Sequence, residues 1–427
     1  MLGSRIAFLA LLLLLTGCGP GEDQDLVKVE DYQVLLDTSQ WQTTAEIQSE
    51  IAFWSARLRP DSSGLGELGP LAAAYSRLYD FQGDYQHLVA TENLLRKAVS
   101  VAAVDRSSYV RALSSNLIKQ HRFTDALNNL LDNTTPESLE LADHYILFDC
   151  YLEIGNSELA KEHLDHATDP SDLAYLIRLA RYLDHEGDLS AAIRQLERAS
   201  EIAKSRNQKE LILWTSSNLA DFYSHHGRLR EAYKLYLESL TLRSDHFHSW
   251  QGIAWLAYSV DDEPQIARTI LEELGKVNDS PGIVYDLLEL ALYQGDQAKI
   301  ESLQMAFIEQ SSKQVHGNLY NIPLAYELLD SDPETSGKLV QAEMLQRNSL
   351  ETRVLNATVK ARLGKADQDD ALLNDLLNGA TEPLTLYHAA RLYAALGQAE
   401  AVDQLKQALE GTAVELGPYK TEVLAQL

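Results

Sequence analysis

Cysteine is nearly absent: it occurs twice in 427 residues, at Cys18 and Cys150. That is too few for a disulfide framework, and no CxxC or comparable zinc spacing exists. Cys150 sits in FDCYLEIG among apolar helical residues and reads as a small buried side chain. Long apolar runs are also missing. Ile6 to Leu15 is ten residues, about half of what a bilayer span needs. Eleven prolines and few β-branched runs argue against a sheet. Basic residues are scarce, with 36 Lys and Arg against 63 Asp and Glu and a formal net charge of −27. Such a balance disfavours nucleic acid and anionic lipid surfaces; it suits a solvated surface and would attract basic peptides or divalent cations. No GxSxG elbow, Walker A loop or HExxH pair occurs, so no enzyme activity and no cofactor are expected.

What the chain has is one unit, repeated. Leu173 to Ala203, LAYLIRLARYLDHEGDLSAAIRQLERASEIA, contains two apolar-periodic segments around Gly187-Asp188. The first carries Leu176, Leu179, Ala180 and Leu183, and the second Leu189, Ala192, Ile193, Leu196, Ala199 and Ile202. Spacings of three and four place each set on one face of a helix. Ala180 and Ala192 allow close approach, and Gly187 can take the positive φ that stops the first helix. A single hairpin cannot bury both stripes, so copies must stack.

The copies follow in order. Their turns lie at Gly83-Asp84, His121-Arg122, Gly155-Asn156, Gly187-Asp188, Gly227-Arg228, Asp261-Asp262, Gly295-Asp296, Asp330 to Pro333, Gly364-Lys365 and Gly397-Gln398. Small residues recur around them, among them Ala98, Ala126, Ala160, Ala220, Ala232, Ala267, Ala291, Ala342, Ala371, Ala390 and Ala401. This pattern resembles the tetratricopeptide repeat, a helix–turn–helix unit of about 34 residues. The resemblance implies an all-α, right-handed α-solenoid of about ten hairpins over residues 70–410. The copies at Asp261 and Asp330 lack the turn glycine and are expected to be kinks between subarrays. A capping helix from about Thr43 to Leu58 and a loop Arg59–Gly69 fill residues 33–69, and residues 411–427 read as a C-terminal capping helix.

Residues 1–17 hold one charge, Arg5, before the apolar run, which reads as a secretory leader. Leu15-Thr16-Gly17-Cys18 resembles a bacterial lipobox. That resemblance implies cleavage before Cys18, lipidation of Cys18 with palmitate-like chains, and anchoring by several acyl chains. Gly19 rather than Asp after the cysteine implies the outer membrane. Residues 18–32 then read as a polar, acidic tether.

In tetratricopeptide arrays the first helix of each unit lines a concave groove. Carried over where the register is clear, this gives Trp214, Asp221 and His225, then Trp255 and Tyr258, then Tyr285, Glu289 and Tyr293 as groove candidates. Aromatic side chains make good peptide anchors, although several could equally be packing residues between helices. The corresponding positions Ala174, Ile177, Arg181, Asp184 and His185 lack the family's carboxylate clamp. His163 with His166, His225-His226 and His246 with His248 are the histidine pairings; none supplies the three or four converging ligands of a metal site. The expected function is a membrane-anchored scaffold binding protein or peptide segments of the cell envelope, in envelope or pilus-type assembly. A self-associating structural lipoprotein, or a metal-binding protein or hydrolase, are the alternatives.

Overall fold

The computed structural model describes residues 25–41, 43–58, 65–313, 317–365, 370–379 and 381–427. The leader and Cys18 lie outside the described residues. Within them, all regular structure is helical. α1 (Val29–Tyr32) and α2 (Thr43–Ser55) precede the array. The first five hairpins are α3 (Leu65–Gln82) with α4 (Gln86–Val101), α5 (Arg106–Lys119) with α6 (Phe123–Leu131), α7 (Leu141–Ile154) with α8 (Ser157–His166), α9 (Leu173–His185) with α10 (Leu189–Ser205), and α11 (Lys209–His225) with α12 (Leu229–Leu242). The next five are α13 (Phe247–Ser259) with α14 (Pro264–Leu274), α15 (Pro281–Gln294) with α16 (Gln297–Ser311), α17 (Asn321–Leu328) with α18 (Pro333–Met344), α19 (Leu350–Arg362) with α20 (Asp370–Asn378), and α21 (Pro383–Ala395) with α22 (Ala399–Ala408). α23 (Ala413–Gln426) follows. Over the described residues the chain is an all-α solenoid of ten helical hairpins.

The fourth hairpin shows how the sequence does this. Asp172 caps α9 by accepting from the Ala174 amide. Gly187, at φ +84°, stops it, and the Asp188 amide donates back to the Leu183 carbonyl. The Asp188 side chain then caps α10 by accepting from the Ala191 amide at 2.9 Å, a contact worth about 1 kcal/mol. Ala180 and Ala192 are fully buried where the helices meet. Where a turn has no glycine, His121 and Asp262 take the left-handed conformation instead, both at φ +56°. The core runs unbroken from Ala180 to Leu290 through the Asp261 turn.

Two boundaries differ from the sequence reading. The first hairpin begins at Leu65, not Pro70, because proline has helical φ and costs only one hydrogen bond near a helix start. The polar spacer expected to reach residue 32 ends sooner. From Leu26 the chain lies on the array: Asp261 accepts the Leu26 and Val27 amides at 2.9 and 2.7 Å. Val27 and Tyr32 are buried, and Tyr32 meets Trp250 edge-on at 5.7 Å. The turn aspartate that replaced glycine thus holds the incoming strand of chain.

The solenoid also touches itself across its own winding. Asn278 Nδ2 donates to the Phe81 carbonyl at 3.0 Å, and Thr124 Oγ1 to the Gln346 carbonyl at 3.0 Å. Ile47 of α2 packs with Ala74, Leu78 and Phe81, with Phe247 alongside. These partners stand about six hairpins apart in the chain. Hairpins far apart in the chain are therefore in contact across the winding.

Replacing Gly252 by alanine tests the tightest helix contact. An added Cβ would lie 2.3–2.6 Å from the Tyr236 ring. The expected result is a loss of about 1–3 kcal/mol, read from the denaturant midpoint; an unchanged midpoint would contradict the packing. Asp261→Ala should leave the Leu26 and Val27 amides without acceptors. Their hydrogen exchange should accelerate and trypsin should cut at Lys28, while unchanged protection would show that the strand is held by other means.

Candidate functional site

The first helices of the hairpins share one inner space. Glu382, at the start of α21, lies within electrostatic reach of Glu153 on α7, Asp184 on α9 and His225 on α11. Glu327 on α17 senses Glu289 on α15, Arg391 on α21 and Lys420 on α23. Charged side chains of α7, α9, α11 and α21, and of α15, α17, α21 and α23, thus lie within electrostatic range of one another.

The sequence-derived candidates separate into groups. Trp214 is 40% exposed on α11. Asp221 is half-buried and accepts from Tyr236 Oη and from His248 Nε2, the latter at 2.7 Å. Burial opposes charge on His248, but the bond to Asp221 outweighs it and lifts the imidazole above its ordinary value. His225 ends α11 near Asp184 and Glu415. Tyr285 packs on Phe307, ring centroids 4.7 Å apart, and behaves as a packing residue. Trp255, Tyr258 and Tyr293 form a chain of edge-on rings, each step 5.5 Å. Glu289 lies beside them, its side chain 13% exposed.

That last group is occupied by the protein itself. α23 does more than cap the last hairpin. It packs on α21 through Leu416, but it also crosses to α13, α15 and α11. Trp255 Nε1 donates to the Val414 carbonyl at 2.9 Å. The Tyr419 amide donates to Tyr258 Oη at 3.0 Å, and Lys420 Nζ pairs with Glu289. The cause is legible locally. Pro418 has no N–H, so the Val414 carbonyl four residues earlier loses its helical donor. Gly417 breaks the helix at φ +73°, which frees the Tyr419 amide as well. The groove's Trp255 and Tyr258 satisfy both orphaned groups. The Gly417-Pro418 pair was the signal for this break in the sequence.

The hollow is rich in acid that sequence spacing alone did not single out. Asp286 is ringed by protein, though part of its surface still meets solvent. Burial, aided by Glu289, pushes its carboxyl up to about 6, against a 3.3 Å hydrogen bond from Gln251. Surrounding protein also raises Glu327 and Glu351 above the usual carboxylate range, and Glu382, though exposed, is raised by it too, with Glu153 and Asp184 nearby. Arg347 answers part of this, bonding Glu343 at 2.7 Å and Glu351 at 3.0 Å, with Glu153 at 3.7 Å. His388 stacks on Tyr326 at 3.8 Å, and burial, with Arg391 and Lys420 nearby, holds it well below its usual pKa.

Other motifs resolve simply. Cys150 is fully buried, and burial pushes its thiol up, away from a reactive thiolate. His144 Nδ1 lies 3.0 Å from His163 Nδ1, but among the described residues no group of three or more metal-ligating side chains converges. Gly64-Leu65-Gly66-Glu67-Leu68-Gly69 has GxGxxG spacing. That motif needs a preceding strand, and the described residues contain only helices. No helix among the described residues is long and apolar enough to cross a membrane.

No family model matches the chain, and no curated protein matches it. Solved structures do overlay on it. A Rap protein complexed with competence and sporulation factor is 12% identical over 90% of this chain and 99% of that one, with TM-score 0.46. Yeast Tom70 is 14% identical over 93% and 95%, with TM-score 0.37. The APC/C hetero-tetramer Cut9-Hcn1 gives 12%, 93%, 98% and 0.34. At such identities the likeness concerns the fold alone.

Asp286 sets a pH dependence. Its folded pKa is above the unfolded value, so its contribution is full below about pH 4 and is lost as pH rises through about 6. Melting temperature should fall between about pH 4 and 6.5 and level off above that. Asp286→Asn should flatten that slope and stabilise the protein at pH 7.5 by about 1–3 kcal/mol. A thermal series with the same slope in both proteins would reject this assignment.

Proposed function

We propose that this chain is a lipid-anchored scaffold of the bacterial cell envelope, and that its inner groove holds a segment of another envelope protein. The observation that carries the reading is the groove itself. Trp255, Tyr258 and Glu289, on two successive first helices, grip a helix through two backbone hydrogen bonds and one ion pair. A surface able to hold α23 in this way has the chemistry to hold a helix of another protein. Rigid stacked hairpins keep the groove preorganised, so little ordering is lost on binding. The lipobox-like Leu15-Thr16-Gly17-Cys18 supports the anchor and the leader supports export. The Gly19 position supports the outer membrane. The acidic surface favours partners with basic segments over nucleic acid.

One experiment addresses both parts. The full chain is expressed in a bacterial host with a photo-crosslinking residue at Trp214, the groove candidate on α11 that is 40% exposed, or at Met305, which is 66% exposed on the second helix α16. A discrete partner adduct should form from Trp214 and not from Met305. The mature protein should begin at a lipid-modified Cys18 and fractionate with membranes, and Cys18→Ser should release it. Equal adducts from both positions would refute the groove, and an unmodified Cys18 would refute the anchor.

A further inference from the structure

The groove does not merely hold a helix; it reads a break in one. An unbroken helix offers no free backbone groups along its middle. α23 offers two, the Val414 carbonyl stripped of its donor by Pro418 and the Tyr419 amide freed at Gly417, and the groove meets each with a side chain of matching polarity. The site is also shaped for a residue without a side chain at the break. A Cβ on Gly417 would stand 2.9 Å from both the Trp255 and Tyr258 rings. Two residues past the proline, Lys420 finds Glu289.

The resident helix fits imperfectly. Glu415 has a buried carboxylate oxygen with no hydrogen-bond partner. Glu422 lies within electrostatic reach of Tyr293, whose hydroxyl donates to Asp262, so acid faces acid at that edge. Against Asp262, Asp286, Glu289 and Glu327, α23 brings the single cation Lys420, with Arg391 the nearest from α21. A ligand with the same break and fewer acids would fit better.

We propose that the segment of the groove formed by α13 and α15 is a binding site for a proline-broken basic helix of another protein, with Gly-Pro at the break and cations two and four residues after the proline, and that α23 is its resident competitor. This rests on the groove reading above and specifies its ligand. A partner helix displaces α23 by offering the same two backbone groups and a better charge match.

The probe is a labelled peptide of residues 411–427 carrying Glu415→Gln and Glu422→Lys, titrated by anisotropy into the full-length protein. A second peptide adds Pro418→Ala, which restores the helical donor to the Val414 carbonyl. Binding by the wild-type chain, weakened about tenfold by Pro418→Ala in the peptide, is the expected result. If α23 excludes the probe from the wild type, Gly417→Leu in the full chain, which drives a side chain into the two rings, should open the site and restore the same discrimination. Equal binding of both peptides overturns the proposal, as does binding to neither protein. Concentration-dependent dimers of the wild type in light scattering, with no probe bound, would assign the site to a second copy and overturn it too. Failure here with a Trp214-specific crosslink in cells would refute the ligand while leaving the groove reading intact.

Discussion

A carbonyl that loses its helical donor inside a protein must find another. At Val414 the donor is lost to Pro418 and recovered from Trp255, more than 150 residues earlier in the chain. That exchange ties the last helix to the middle of the array. Without it, the inner edges of α13 and α15 would stand open, because hairpin stacking buries the flanks of each helix and leaves its inner edge bare. The rings of Trp255, Tyr258 and Tyr293 and the carboxylate of Glu289 are the surface left over from stacking, and α23 covers it.

The ends of the chain and the winding of the array work together. The N-terminal strand is held by the Asp261 carboxylate, and α2 packs hairpin one against Phe247. Asn278 and Gln346 join turns of the spiral by bonding to carbonyl and hydroxyl groups at hairpin edges. None of these contacts belongs to the nearest-neighbour logic of a repeat array. They are long-range; the hydrogen bonds among them are each worth about 1 kcal/mol, and the α2 contact is apolar packing. Together they hold hairpins on successive turns against one another, and carboxylates with partly wet surfaces are still pushed upward by the protein and the charges around them.

The repeat was readable because its signals are local. Gly-Asp at a turn states both a stop and a restart within two residues, and alanines at fixed offsets state which faces touch. The Asp261 turn misled for the same reason: its missing glycine reads as a defect, whereas Asp262 supplies the positive φ and Asp261 serves a distant strand. The groove positions on α13 and α15 could be placed from the resemblance alone, but Asp286 and Glu327 could not, since their character comes from other turns of the spiral. Tyr285 shows the limit from the other side. Its register suits a groove residue, yet Phe307 on the next helix claims its ring. What covers the groove was legible in one place only, the Gly417-Pro418 pair, where a helical pattern contains a residue that cannot continue it.

The acid of the hollow separates stability from recognition. Buried carboxylates facing one another destabilise a fold, and apolar residues of similar size would serve packing better. Among the described residues Gln251 is the hydrogen-bond donor to Asp286, and Lys420 is the cation that reaches it. An interior built only to stand would not concentrate Asp286, Glu289 and Glu327 around one lysine. The arrangement makes sense as a field. It holds Lys420, which follows the helix break, at the depth where Trp255 and Tyr258 take the freed backbone, and the proposed partner segment would be drawn in and tested in the same way.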